Sequence, residues 1–282
     1  MGDQAGRVAV VTGAGRGLGR AFALALAREG AHVVGVARSA DELAETERRS
    51  RAETPAGRLT AMPCDVSDHR AVADLRERVV DRVGAPAILV NAAGIFGPIA
   101  LIKDVDPEAW RQTIMIDAVA PFFTINAFLG DMLEAGWGRI VNVTSAASLH
   151  PPGPINSAYG TAKAALNQMT RHLAAEIAGS GVTANVIHPG DVKTAMWADI
   201  RDRVVGLGPV AENYIEWADW VERTGGDPPE KAVALVLRLT SDAGGATNGE
   251  FCWIDDPLQA PIDSWEPPSE RRPWLEDRDP AD

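Results

Sequence analysis

Tyr159 and Lys163 stand four residues apart in Ser157-Ala158-Tyr159-Gly160-Thr161-Ala162-Lys163. On a helix, positions i and i+4 share a face, so the phenol and the ammonium would lie side by side. A cation beside a tyrosine hydroxyl stabilises the phenolate and draws its pKa from ~10 toward the pH at which enzymes work. Such a pair can give or take a proton. A solvated helix face produces the same spacing, so its meaning rests on what accompanies it.

The elements that would position the pair come from alternation. Short β-branched runs at Val8 to Thr12, His32 to Ala37, Leu59 to Cys64, Ala87 to Val90, Arg139 to Thr144 and Val182 to His188 read as strands. Between them, Gly17 to Glu29, Ser67 to Val83, Trp110 to Leu133 and Ser157 to Ala178 read as helices, the last carrying Tyr159 and Lys163. Regular alternation of this kind predicts an α/β fold with a doubly wound, mostly parallel sheet covered by helices on both faces. Ligands of such sheets bind beyond the carboxyl ends of the strands, so functional residues are expected just after strands. One domain is expected over 5–255, without internal repeats. Within it, 195–229 breaks the rhythm with Trp197, Tyr214, Trp217 and Trp220 between glycines, which suits a helical lid over a substrate pocket. A proline- and charge-rich extension, 256–282, would be extended or disordered.

Composition narrows the function classes. The chain of 282 residues carries 39 acidic against 27 basic side chains, for a formal charge of −12. That charge repels a phosphate backbone and argues against nucleic acid as a partner. The 46 % hydrophobic fraction is ordinary for a globular protein, and no apolar run is read as long enough to span a membrane. Neither a basic nor an apolar leader precedes the first strand, so a cytoplasmic location is expected. Cys64 and Cys252 lie far apart without metal-ligand spacing, so buried thiols and no metal site are expected.

Directly after the first strand comes Thr12-Gly13-Ala14-Gly15-Arg16-Gly17-Leu18-Gly19, opening a helix. Glycines there let the backbone turn tightly and approach a pyrophosphate, whose charge meets the amino end of the helix. The second strand ends at Ala37, where NAD-binding proteins usually place a carboxylate for the ribose hydroxyls. Ala37 cannot accept those bonds. Arg38 follows it, and with Arg16 in the cradle two guanidinium groups would flank the 2′-phosphate that distinguishes NADP(H). NADP(H) is therefore the expected cofactor.

With these motifs in place, residues 5 to 255 resemble the short-chain dehydrogenase/reductase family, whose core is a Rossmann fold. The resemblance follows the family's order through Thr12, Gly13, Gly17 and Gly19; Asp65-Val66; Asn91-Ala92-Ala93-Gly94; Gly138 to Ser145; Tyr159 and Lys163; and Pro189-Gly190 through Thr194. It implies cofactor contacts from the cradle residues, from Asp65 and Val66 at the adenine, from Asn91, Ala92 and Gly94, and from Pro189, Gly190, Val192 and Thr194 at the carboxamide. It also implies hydride transfer to or from a carbonyl or alcohol carbon. Ser145 would hydrogen-bond the substrate oxygen and Tyr159 would exchange its proton. Lys163 would lower the tyrosine pKa and hold the nicotinamide ribose. A homotetramer or homodimer is implied as well.

The chain departs from the pattern in several places. Seven residues after Trp110, where the family keeps an asparagine whose carbonyl holds a relay water, stands Asp117. An ionised Asp117 would favour the Lys163 ammonium yet oppose the Tyr159 phenolate, with the net direction open. Ser145 and Tyr159 are 14 residues apart, with His150, Pro151, Pro152 and Pro154 between them, and His150 is a candidate substrate contact. Asp191 replaces a commonly apolar residue and would make the pocket rim polar or suit a basic group. The leading reading is an NADP(H)-dependent ketoreductase or alcohol dehydrogenase for a small to medium, partly apolar molecule. Cofactor-assisted isomerisation, epimerisation or dehydration, and a non-catalytic dinucleotide-binding scaffold, are the alternatives.

Overall fold

Seven short apolar strands and the helices between them assemble into one doubly wound layer structure. The structure is a computed structural model that describes residues 3–53, 58–149 and 153–254. Strands β1 (Val8–Thr12), β2 (His32–Ala37), β3 (Arg58–Pro63), β4 (Ile88–Asn91), β5 (Gly138–Val143), β6 (Val182–His188) and β7 (Phe251–Trp253) form a single sheet in the order β3-β2-β1-β4-β5-β6-β7. Every pairing is parallel, and Val10 in β1 lies opposite Val34 in β2 and Leu89 in β4. The direction of winding reverses between β1 and β4. That is where a doubly wound sheet opens a crevice for a ligand.

Both faces of the sheet are buried, which is why its strands read as continuous apolar runs rather than as alternation. Helices α1 (Gly17–Arg28), α2 (Ala40–Glu53) and α9 (Pro229–Thr240) cover one face, where Phe22, Leu26, Leu43, Leu235 and Leu239 pack on Val11 and Ile187. The other face carries α3 (His69–Arg82), α4 (Pro107–Ile114), α5 (Ala120–Ala135) and α6 (Ser157–Glu176), with Leu75, Phe128, Met132 and Leu173 against Val10 and Ile140. Beyond β6, α7 (Ala195–Val204) and α8 (Glu212–Thr224) lie outside the sheet and pack on a third, smaller cluster around Phe96, Ile155 and Tyr159.

The helix expected over Trp110 to Leu133 runs from Pro107 to Ala135 but is not uniformly α-helical. A π-helical turn, Met115–Val119, joins α4 to α5, and the Ala120 N–H bonds the Met115 carbonyl five residues back. Pro121 supplies the cause, since it has no N–H to offer the Asp117 carbonyl four residues earlier. This segment also corrects the expectation about membrane spans. By length and composition it is apolar enough to cross a bilayer, and half of its most apolar stretch is buried within the fold. Both expected buried thiols, Cys64 and Cys252, are buried, and neither is in a disulfide. His150, Pro151, Pro152 and the 256–282 extension lie outside the described residues.

Candidate active site

The buried stripe of α6 consists of Ala158, Tyr159, Ala162, Lys163, Leu166, Thr170, Leu173 and Ala174. Tyr159 and Lys163 therefore sit on the face turned into the protein, not on the solvated face that spacing alone would allow. Their neighbours explain how two polar groups are tolerated there. The Lys163 Nζ donates to the Val143 carbonyl at 3.0 Å, at the end of β5. It also forms an ion pair at 3.1 Å with Asp117 Oδ2, whose side chain is wholly shielded from solvent.

The π-turn aims Asp117 at this point. Its second oxygen, Oδ1, accepts the Ile95 N–H at 2.9 Å, so one carboxylate ties the π-turn, the loop after β4 and α6 together. Gly94 leaves room for that approach, because a Cβ there would lie 3.1 Å from Asp117 Oδ2 and 3.5 Å from Lys163 Nζ. The expected relay position is thus occupied by a direct partner of Lys163. Pro121 leaves the Asp117 carbonyl without its α-helical donor.

Electrostatics in the cluster follow from burial and charge. Burial pushes Lys163 down, but Asp117 and Tyr159 push it up more strongly, so the ammonium is favoured. Burial raises Asp117, with Lys163 and the Ile95 N–H opposing. Burial also raises the Tyr159 phenol above its ordinary value, with Asp117 adding to the rise and Lys163 and a hydrogen bond from Ser145 opposing it. The expected lowering by Lys163 is present. It is outweighed in this structure by desolvation, which the sequence could not weigh.

Ser145 lies two residues past β5 and caps a short 3₁₀ turn, Ala146–Ser148, by accepting the Ala147 N–H at 3.2 Å. The loop is held from three sides. Ser148 donates to the Ser145 carbonyl at 2.5 Å, Asn167 in α6 donates to Ser148 Oγ at 2.8 Å, and the Ala146 N–H bonds His188 Nδ1 at 3.1 Å. In the last bond His188 Nδ1 is the acceptor. Ser145 and Tyr159 then share one end of a cavity of about 380 Å³, near the low end of ligand-sized cavities (~300–1,000 Å³). Pro189, Gly190, Val192 and Thr194 line it, as does Leu18 of the cradle. One wall is aromatic: Phe96 packs against Tyr159 in a tilted arrangement at 4.8 Å and meets Tyr214 edge-on at 5.7 Å, with Trp217 6.4 Å from Tyr214.

Several of these residues were not legible in the sequence. Phe96, Asn156 and Met196 carry no motif, yet all three line the cavity. Asn156 occupies the N-cap position of α6 without capping it; its side chain meets the Tyr214 hydroxyl, while burial pushes that phenol upward. Ile155 beside it holds φ +70°, a left-handed conformation that a β-branched residue rarely adopts and that costs ~1–3 kcal/mol. Asp191 does reach the rim, where its Oδ1 accepts the Trp217 Nε1–H at 3.0 Å.

The cradle after β1 fits a dinucleotide pyrophosphate. Helix α1 starts with no side-chain cap, leaving its first N–H groups for an anion. A Cβ at Gly13 would meet the Ala92 carbonyl at 2.8 Å, and one at Gly19 would meet the Gly13 carbonyl at 2.3 Å, so both closures need glycine. Arg20 and Thr46, which sequence reading missed, hold the loop from behind: Arg20 donates to the Gly15 carbonyl and Thr46 to the Ala14 carbonyl at 2.9 Å. Thr12 Oγ1 accepts the N–H groups of Ala92 and Ala93, both at 3.1 Å, and joins the cradle to the loop after β4. Below it, Asn91 donates to Asn142 at 2.8 Å and accepts from Thr124 at 2.7 Å, a buried chain that fixes the strand ends. Asp65 closes a turn with Ser67, and Val66 is buried beside it. Arg16 and Arg38 are both exposed, and Arg16 pairs at 3.6 Å with Glu42, a carboxylate packed over Gly15 that the motif does not announce.

A crevice at the strand-order reversal, an anion cradle and a Ser–Tyr–Lys cluster together define a dinucleotide-dependent oxidoreductase site. Known proteins agree: a family model described as short chain dehydrogenase matches residues 7–204. The chain is 35 % identical over 254 residues to 2-keto-3-deoxy-L-fuconate dehydrogenase of Xanthomonas campestris pv. campestris, covering 89 % of this chain and 79 % of that protein. It is 36 % identical over 256 residues to D-beta-hydroxybutyrate dehydrogenase of Rhizobium meliloti, covering 88 % and 97 % of the two chains. Among solved structures, the Pseudomonas aeruginosa RhlG/NADP active-site complex superposes with a TM-score of 0.77 at 30 % identity, over 89 % of this chain and 95 % of that one. The chain belongs to the short-chain dehydrogenase/reductase family. It is an NAD(P)-dependent oxidoreductase of alcohol and carbonyl groups.

Proposed function

We propose that this protein transfers hydride between NADP(H) and the carbonyl or secondary-alcohol carbon of a small to medium, partly apolar molecule. The observation that carries the reading is the convergence of the Ser145 and Tyr159 hydroxyls at one end of an aromatic-walled cavity. Two hydroxyls aimed at one oxygen perform two tasks. Ser145 donates a hydrogen bond as negative charge develops on that oxygen, and Tyr159 delivers or removes its proton. Lys163, held charged by Asp117, steadies the phenolate that Tyr159 becomes after giving up its proton. The nicotinamide, when bound, supplies or accepts the hydride; Lys163 and Tyr159 would hold its ribose, and Pro189, Gly190, Val192 and Thr194 its carboxamide. Helices α7 and α8 cover the cavity as the lid and exclude water from it.

The preference for NADP(H) rests on Ala37 at the end of β2 and on Arg16 and Arg38, both solvent-exposed beside the cradle. Gly13, Gly15, Gly17, Leu18 and Gly19 would receive the pyrophosphate, Asp65 and Val66 the adenine. Assembly as a homodimer or homotetramer is supported by Phe122 and Leu133 on α5, which are 50 % and 42 % exposed. A panel of ketones, aldehydes and alcohols run with NADPH, NADH and the oxidised forms tests the reading. Turnover is expected with NADPH, and Tyr159→Phe is expected to abolish it while sparing cofactor affinity; retained turnover in that variant would refute the acid/base assignment.

A further inference from the structure

The charges around the substrate cavity point to the kind of molecule it accepts. Among its described lining residues none is Lys or Arg, and the one carboxylate is Asp191. His188 offers no Nδ1 donor to the cavity, because that nitrogen accepts the Ala146 N–H. Three cations near the lid are engaged with carboxylates, and Arg223 at the end of α8 is solvent-exposed and does not line the cavity. Lys193 pairs with Glu222 at 3.1 Å, Arg201 with Asp202 and Glu222 at 2.8 and 3.3 Å, and Arg203 with Asp199 at 2.8 Å. Behind the site, Lys163 is paired with Asp117. What remains for a substrate is a set of neutral donors and acceptors, Asn156, Asn213 and Tyr214, set between Phe96 and Trp217.

We infer that the pocket selects uncharged ring-bearing or branched ketones and alcohols and rejects carboxylates, with Asp191 as the residue that determines this choice. The inference rests on the proposed oxidoreductase reading and names the substrate class of the same site. A carboxylate in the pocket meets no compensating cation and faces the Asp191 charge at short range in a partly desolvated space, where like charges repel strongly. The 2-keto-3-deoxy-L-fuconate and D-beta-hydroxybutyrate relatives, by contrast, act on carboxylates. Cavity size adds a second limit, because about 380 Å³ must also admit the nicotinamide beside Pro189 and Thr194.

The test is a set of matched pairs of keto acids and their methyl esters, 4-oxocyclohexanecarboxylate and methyl 4-oxocyclohexanecarboxylate among them. Each is measured by kcat/KM with NADPH and by quenching of tryptophan fluorescence in the protein saturated with NADPH, with Trp217 on the cavity wall as reporter. Esters are expected to exceed acids by a factor of about ten to a hundred in both measurements. Asp191→Asn, whose amide oxygen still accepts from Trp217, is expected to narrow that ratio about tenfold. Trp217→Phe, which removes the hydrogen bond and keeps the charge, is expected to preserve the ratio while raising KM. Acids that bind or react as well as their esters overturn the inference, as does a ratio unmoved by Asp191→Asn. Failure of the oxidoreductase reading is a separate result: absorbance at the reduced nicotinamide band then stays constant with every compound, while the fluorescence ratio still decides the charge preference.

Discussion

Replacing Asp117 with Asn should move the pH dependence of this enzyme toward acid by about one unit. The carboxylate lies 3.1 Å from Lys163 Nζ, and that nitrogen lies 5.5 Å from the centre of the Tyr159 ring. The carboxylate is therefore no farther than about 9 Å from the ring, where a unit charge is worth about 2 kcal/mol at an effective dielectric of about 20, or a little over one pKa unit. Asp117 opposes the phenolate, so its removal lets Tyr159 ionise at lower pH. Asn keeps the size and an oxygen for the Ile95 N–H, so the π-turn need not move. The assay is kcat/KM for alcohol oxidation at saturating oxidised cofactor across pH 6 to 11 (about that range suffices to bracket a phenol). Its acid limb should shift downward, and the basic limb of carbonyl reduction should shift with it. Because Tyr159, Lys163 and Asp117 titrate together, the limb belongs to the cluster rather than to the phenol alone. An unmoved limb would refute the electrostatic role. An upward shift would refute the sign, showing that Lys163 sheds its proton once its counter-ion is gone.

Two further outcomes follow from neighbouring contacts. Lys163→Met leaves Asp117 buried without its counter-ion, with only the Ile95 N–H still bonded to it, which should cost about 3–5 kcal/mol near neutral pH. Burial already raises Asp117, and a raised folded-state pKa confers stability that is present in acid and lost as pH rises through it. The variant's deficit, read from urea midpoints at acid and alkaline pH, should thus shrink toward acid; a deficit independent of pH would contradict the assignment. Glu42→Gln frees Arg16 and removes a negative charge beside the cradle, so NADPH should bind several-fold more tightly with NADH little changed (about 0.5–1 kcal/mol for an exposed pair). Titration calorimetry with both cofactors measures it, and a parallel gain for NADH would show that Glu42 does not act at the 2′-phosphate.

Strands and cradle were legible because their signals are local. Val8–Thr12, His32–Ala37 and Val182–His188 fall where β-branched runs between turn residues placed them, and Gly13 and Gly19 are needed where the motif puts them. Ser145, Tyr159 and Lys163 converge as their order implied. Helix α2 escaped notice because only Leu43, Thr46 and Ser50 face inward, too thin a stripe among Glu and Arg to mark a period. β7 has three residues and exists only through its pairing with β6. The π-turn needed Pro121 to be weighed against the carbonyl four residues before it, a conflict that hydrophobic periodicity does not register. Phe96, Asn156 and Met196 were hidden for a different reason: a pocket wall is assembled from separate loops, and nothing in one segment records the others. The net direction of the Tyr159 pKa, open from the sequence, is decided by burial, which is a property of the fold.

The loop that follows β6 is not independent of the segment around α8. Val192 and Gly226 form an antiparallel bridge, the Asp227 N–H bonds the Asp191 carbonyl at 3.0 Å, and the Asp191 N–H bonds Asp227 Oδ2 at 2.9 Å. With Trp217 bonded to Asp191 as well, α8 and the segment that would hold the nicotinamide share one hydrogen-bonded seam. Ordering either side orders the other. Whatever settles the loop also settles the wall against which the substrate rests, so this geometry favours compulsory-order kinetics, in which the dinucleotide enters first and leaves last.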